Sequence, residues 1–273
     1  MTEEVTEDKV LGRIGENIEI VEKINEGGTA NVYVGINTWT GFPVAIKQLK
    51  SNFFKSDFVR DKFKQEANRY LYLNHPNIVK LHDFIDDGES QYLVMEYVEG
   101  HNLNDYQNKV SGPMPAAMAA LLISEALKAL EFAHSNGVLH LDIKPSNIMI
   151  SSDHEVKVLD FGISQGIDEG ASKKLIGTPN YMSPEQITQE ASIDHRTDIY
   201  SAGVSLYELV TGLPPFSECA DRSELFAAIE NKPIPAIEGE DELNDVIRKA
   251  TLKQPSLRYQ DCSEFYHELI QLV

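Results

Sequence analysis

Apolar positions gather along residues 18–49 in three short β-type runs, IEIVEKI, NVYVGIN and PVAIKQL, parted by polar, Gly-bearing breaks at 25–29 and 38–43. Short strand-like runs between Gly-rich and polar breaks predict a β-meander. At 57–74 the spacing becomes helical, with Phe63, Ala67, Tyr70 and Leu71 on one face. His75-Pro76 stops that helix, because the residue before a proline is pushed out of the α region. Two further strand-like runs follow at 78–85 and 91–98. Beyond Glu99-Gly100 the texture turns helical. Residues 115–135 hold Leu121, Leu122, Ile123, Leu127, Leu130 and Phe132, too apolar all round for a surface helix. Short strand-like runs recur near 138–160, then come a polar stretch at 163–180 and several more helices. Residues 1–16 are acidic and polar and predict a frayed or lightly docked start. The expected architecture is α+β. An acidic extension at 1–17 precedes a β-rich lobe at 18–98, joined through 96–100 to a larger, mainly helical lobe at 99–273.

Composition narrows the function classes. With 24 Lys+Arg against 43 Asp+Glu the net charge is −19, which disfavours a nucleic-acid footprint. Solubility is its ordinary reading, and basic protein partners its sharper one. An apolar share of 42% is that of a globular chain of 273 residues. Two cysteines, Cys219 and Cys262, rule out a disulfide framework or a zinc cluster and suggest ordinary packing. The start, MTEEVTEDKV, is no signal peptide, and no apolar run reaches the ~18 residues of a membrane span. The expectation is therefore a cytoplasmic, soluble chain. His134, His154, His195 and His267 follow no metal-ligand spacing and suggest surface or capping roles. Tyr33, Tyr70 and Tyr72 suggest core or interface aromatics, and 218–245, with nine acids against two bases, an exposed helix and loop.

Candidate chemistry starts at Lys47, which ends the apolar strand Val44-Ala45-Ile46. A buried ammonium there needs an anion, although a Lys at a strand edge can also snorkel to water. Glu66, nineteen residues on, lies on the predicted helix and could be its partner. Upstream, residues 25–32 (NEGGTANV) form a Gly-bearing turn between strands, either a plain hairpin or a place where backbone N–H groups approach phosphates. The strong signal is His140-Leu141-Asp142-Ile143-Lys144-Pro145-Ser146-Asn147, followed thirteen residues after Asn147 by Asp160-Phe161-Gly162. A carboxylate to accept a hydroxyl proton, an ammonium to balance phosphoryl charge and hard oxygens to hold Mg²⁺ are what phosphoryl transfer requires.

With these motifs in this order, the chain from about residue 18 to 271 resembles the eukaryotic-type protein kinase family. The resemblance implies the bilobal protein-kinase fold and transfer of the γ-phosphoryl of ATP, with Mg²⁺ or Mn²⁺, to protein hydroxyls. It makes residues 25–32 the glycine-rich loop, with Asn25, Gly27, Gly28, Ala30 and Val32 around the nucleotide. It makes Lys47 the phosphate-positioning lysine and Glu66 its helix partner. It places Ala45, Met95, Glu96, Val98 and Met149 at the adenine, with Met95 as gatekeeper. Asp142 resembles the catalytic base, Lys144 the charge-balancing lysine, and Asn147 and Asp160 the metal ligands. Thr178, in the substrate-side loop GTPNYMSPE, together with Lys144 implies Ser/Thr specificity. Asp198 of DIYSAGV is implied to anchor the catalytic loop, and Arg258 to pair with Glu185. The phrasing DIKPSN and YMSPEQ is most similar to the bacterial branch.

Two departures qualify this. Asn25 and Ala30 replace two of the usual loop glycines, which predicts weaker or slower ATP engagement. Leu141 stands where an Arg usually meets a phosphorylated residue, and Lys174 where that phosphoacceptor commonly sits. Activity is thus expected not to require phosphorylation at that position, although Ser164 or Ser172 could still be modified. A pseudokinase scaffold and a small-molecule phosphotransferase of the aminoglycoside-kinase kind are the alternatives. Retention of Lys47, Glu66, Asp142, Lys144, Asn147 and Asp160 weighs against the first. The substrate-side loop and the DIYSAGV helix weigh against the second.

Overall fold

The strand-like runs at 18–49 become antiparallel sheet in the computed structural model, which describes residues 11–161, 178–189 and 193–273 apart from the side chains of Lys62 and Glu66. Strands β1 (Gly12–Ile14), β2 (Ile18–Glu26), β3 (Ala30–Asn37) and β4 (Pro43–Leu49) are followed by helices α1 (Ser51–Phe54) and α2 (Asp57–Tyr70). Strands β5 (Leu81–Asp86) and β6 (Gln91–Glu96) complete a six-stranded sheet of order β1-β2-β3-β4-β6-β5. The chain divides into two compact units. One holds the described residues through Tyr72 with Lys80–Val98; the other holds Leu73–Val79 with Glu99–Val273.

Register sorts the smaller unit's side chains between the two faces of its sheet. Val32, Lys47 and Leu93 form one cross-strand row, and Val34, Ala45 and Met95 the next, all on one face. The other face buries Val44, Ile46, Tyr92 and Val94 with Ile14 and Ile18, and Tyr33 packs against this cluster. Ile14 is buried and β1 pairs with Ile18–Ile20, so the chain from Gly12 onward is docked rather than frayed. Between β3 and β4 the turn is closed by Asn37, whose Oδ1 accepts from the N–H groups of Trp39 (3.0 Å) and Thr40 (3.2 Å). Trp39 projects from this turn, 74% exposed.

Helix α2 starts at Ser56, whose hydroxyl accepts from the Val59 N–H, and buries the expected stripe of Phe63, Ala67 and Tyr70. It stops at Tyr70 rather than 74. Leu71, its C-cap, therefore leaves the stripe and is exposed, contrary to the face expected of it, and Tyr72 beside it is exposed and outside the core. The run at 78–85 also divides: Leu81–Asp86 joins the sheet, whereas Ile78 bridges Val158 in the larger unit and Val79 N–H donates to Val158 O.

In the larger unit, β7 (Gly100–Asn102) precedes α3 (Leu103–Tyr106), which runs into a π-helical turn at Gln107–Ser111. The expected apolar helix is α4 (Ala116–Ser135), with ten buried residues. Of residues 138–160 only β8 (Ile148–Ser151) and β9 (Val156–Val158) are strand, pairing in the order β7-β8-β9. Then come α5 (Pro184–Thr188), α6 (Arg196–Thr211), α7 (Arg222–Asn231), α8 (Asp241–Ala250) and α9 (Cys262–Leu269). The acidic 218–245 segment is α7, a loop and the start of α8. No helix among the described residues is long and apolar enough to cross a membrane.

One buried ion pair ties the ends of three elements. Arg258 and Glu185 meet through both guanidinium NH₂ groups at 2.7 and 2.8 Å. The other guanidinium N–H groups donate to the carbonyls of Leu252, Arg196 and Lys253, so all five donors are used. Thr197 donates to Glu185 Oε1 (2.8 Å). Burial alone would raise the Glu185 carboxyl, but Arg258 outweighs it and holds the group below the usual carboxylate range. Arg258→Met would strand that carboxylate in the interior and should cost about 3–5 kcal/mol of unfolding free energy. Urea denaturation measures it; a loss under about 1 kcal/mol, the size of an exposed pair, would contradict this picture.

Candidate active site

In the smaller unit the sheet face opposite the apolar cluster gathers Val32, Ala45, Lys47 and Met95 from three strands. Lys47 is 8% exposed on this otherwise apolar face, a position where an ammonium calls for an anion. Glu66 lies on α2, but its side chain, and with it the expected pairing to Lys47, is outside the described residues. At the glycine turn, Gly27 N–H donates to Ala30 O (2.9 Å) and Lys50 N–H to Thr29 O (2.9 Å). A Cβ on Gly27 would lie 3.3 Å from Ala30 O, pressing on the turn's own carbonyl. Asn25 faces Val32 across β2 and β3, Gly28 is exposed and Ala30 buried. Beside the turn, hydrogen bonds from Lys23 and Lys50 hold the Glu26 carboxyl down to about 2. Further along, Glu96 N–H donates to Lys80 O (2.8 Å), so it is spent within the sheet; Met95 and Val98 are buried.

The larger unit builds its site on a buried carboxylate. Asp198, near the start of α6, has no exposed surface. Its Oδ1 accepts from Leu141 N–H (2.7 Å), and its Oδ2 from His140 N–H (2.8 Å) and His134 Nε2 (2.8 Å). Burial pushes this carboxyl up, but the hydrogen bonds from His134 and from the His140 N–H hold it below its ordinary value. Two backbone groups of the 140–147 loop are thereby fixed. The His140 ring completes the anchor, bonding Leu159 O (2.7 Å) through Nε2 and packing edge-on against Phe161. Leu141 is buried at φ +61° and Asp160 stands at φ +62°, both in the left-handed region. For side chains this conformation costs on the order of 1–3 kcal/mol and persists where surrounding bonds impose it.

Held this way, Asp142 becomes the centre of a fan. Lys144 Nζ donates to its Oδ2 (2.7 Å), as does Asn147 Nδ2 (3.2 Å), which also bonds Asp142 O (2.8 Å). Thr178 donates to Oδ1 from its N–H (2.9 Å) and its hydroxyl (3.0 Å) while accepting from Lys144 Nζ (2.6 Å). Leu159 N–H bonds Asn147 O (2.9 Å), which brings Asp160 to the end of the same loop. With its amide nitrogen engaged on Asp142, Asn147 turns its oxygen, the hard ligand, away from that carboxylate. The pair Asn147 and Asp160 supplies the oxygen chemistry that Mg²⁺ takes. No cluster of three or more His, Cys, Asp or Glu able to hold a metal occurs among the described residues.

The structure thus collects Asp142, Lys144, Asn147 and Thr178 into one hydrogen-bonded set, and sets Met149 apart on β8. Gly162, Ser164, Ser172 and Lys174 lie outside the described residues. His134 is the residue missed in the sequence: instead of a surface or capping role, it is buried against Asp198. A signal existed, because 127, 130 and 134 repeat along the buried stripe of α4.

A family model of the protein kinase domain matches residues 18–272. The serine/threonine-protein kinase PknB of Mycobacterium leprae is 36% identical over 95% of this chain and 43% of its own length. A probable serine/threonine-protein kinase of Clostridium perfringens is 36% identical over 95% of this chain and 39% of its own. The probable PknB of Lactococcus lactis is 38% identical over 93% and 42%. The chain therefore spans about two-fifths of the length of the curated relatives it matches. Its two units, one built on antiparallel sheet and the other mainly helical, and the match over 18–272 identify the chain as a member of the protein kinase domain family.

Proposed function

We propose that this chain transfers the γ-phosphoryl group of ATP to Ser or Thr hydroxyls of protein substrates. The observation that carries this reading is the fan of donors on Asp142: Lys144, Asn147 and Thr178 around one half-buried carboxylate. Asp142 is the group to orient the acceptor hydroxyl and take its proton. Lys144, bonded to Asp142 and Thr178 together, balances negative charge on the moving group. The tie between Thr178 and both residues supports an aliphatic hydroxyl, rather than a phenol, as acceptor. Asn147 and Asp160 would hold Mg²⁺, or Mn²⁺ in its place, whose charge neutralises phosphate oxygens when bound.

In the smaller unit, Lys47, with Glu66 as partner, is assigned to the α- and β-phosphates. Asn25, Gly27, Gly28, Ala30 and Val32 are assigned to the triphosphate as a phosphate-covering turn. Ala45, Met95, Glu96 and Val98, and Met149 of the larger unit, are assigned to adenine. The catalytic domain is read as 18–273, preceded by an acidic extension at 1–17. A cytoplasmic location, where ATP is at hand, is assigned to this reaction.

Regulation is read from Leu141. It is buried, its N–H is bound to Asp198, and its carbonyl accepts from Gln186 Nε2 (3.2 Å). An apolar side chain there offers nothing to a phosphate, so activity is independent of phosphorylation at the position of Lys174.

Asp142→Asn should slow transfer by roughly 10²–10⁴ while nucleotide still binds, since a general-base contribution has that size. Labelled-phosphate incorporation into a basic test protein measures it; equal turnover of wild type and variant would overturn the mechanism. Asp160→Asn should instead abolish the Mg²⁺ dependence of ATP affinity, read by titration calorimetry with and without Mg²⁺. Phosphatase-treated wild type should keep its full rate, and loss of activity on treatment would refute the reading of Leu141.

A further inference from the structure

Asp198 Oδ2 lies 2.8 Å from His134 Nε2, and two oxygen or nitrogen acceptors do not approach so closely without a proton between them. Nε2 therefore carries hydrogen and donates. The other ring nitrogen, Nδ1, faces Cys262 Sγ at 3.6 Å, within reach of a sulfur hydrogen bond. Cys262 opens α9 and is completely buried. Burial, and then the charges of Asp198, Glu131 and Asp261, push its thiol well above the usual cysteine value, so the sulfur keeps its hydrogen and can donate. His195 stands beside the same ring, with centroids 5.5 Å apart.

We propose that Cys262 is a positioning residue for phosphoryl transfer: its S–H donates to His134 Nδ1, fixing the neutral imidazole with its proton on Nε2, aimed at Asp198. The relay is Cys262 to His134 to Asp198, and from Asp198 to the backbone N–H groups of His140 and Leu141, directly before Asp142. No covalent step is involved. The thiol's hydrogen decides which ring nitrogen is acceptor and which is donor, and so whether Asp198 receives three hydrogen bonds or two. Packing alone does not demand this, since a methyl or hydroxyl would also fit a small buried position at the start of α9. The link to catalysis rests on the proposed kinase reaction; the hydrogen-bond relay does not.

Two measurements test it without turnover. Nitrogen-15 NMR of histidine rings, with the His134 signals assigned through His134→Gln, should show a neutral ring protonated on Nε2, its Nδ1 signal moving in Cys262→Ala. Amide exchange at His140 and Leu141 should quicken by about threefold to tenfold in that variant, the factor expected from one weakened hydrogen bond. Exchange in α4 and α9 should be unchanged, where simple loss of packing would quicken it as well. Cys262→Ser, which keeps a donor, should stay closer to wild type than Cys262→Ala. In the kinase assay Cys262→Ala should lower kcat by a similar factor and leave KM for ATP in place. A doubly protonated His134, a proton on Nδ1, or an unchanged Nδ1 signal in Cys262→Ala would overturn the proposal. An inactive wild type with the NMR and exchange results intact would count against the kinase reading alone.

Discussion

A carboxylate with no exposed surface must be given donors, and Asp198 receives three of them. That requirement organises much of the larger unit. Leaving such a charge unpaired would cost several kcal/mol, so the backbone at His140 and Leu141 is not free to drift while the unit stays folded. Asp198 sits in the first turn of α6, which is buried along most of its length. The rigidity of that helix passes to the 140–147 loop, which has only a 3₁₀ turn at Pro145–Asn147. The left-handed Leu141 is the local cost of meeting both carboxylate oxygens at once.

A second buried pair, Arg258 with Glu185, does the same at the far end of the segment that starts at Thr178. Thr178 is tied to Asp142, and Glu185, seven residues later, is tied to Arg258. The residues between them are pinned at both ends by charge. Tyr181 adds a third hold through its hydroxyl on the buried Glu208, 2.5 Å away, whose own carboxyl is raised by burial. The segment is thus fixed by side-chain bonds where helices and strands are short.

Much of this was legible in the sequence, for uneven reasons. Strands β2 to β4 and β6 were readable as short apolar runs bounded by turn residues; β6 is buried on both faces. Helix α4 was readable because it is apolar almost all round. The end of α2, the docking of Ile14 and the switch of Ile78 to the larger unit were not. Each depends on which partner a short apolar stretch meets in three dimensions, and no local pattern records that. Within the site, Asp142, Lys144 and Asn147 stood out as residue types at telling intervals, whereas Thr178 came only from the resemblance of its loop. His134 hid among leucines and alanines, because a buried polar group reads as a helix residue until its acceptor, 64 positions away, is known.

The lone tryptophan gives the molecule an unusual optical property. Trp39 projects into water from the β3–β4 turn, while the tyrosines at 70, 200 and 259 are buried. Its emission starts from an indole already solvated in the native state, so melting of the interior changes that light little. Tyrosine absorbance and near-ultraviolet dichroism are the signals that sense the core. The indole serves instead as a built-in beacon for anything that settles on the hairpin.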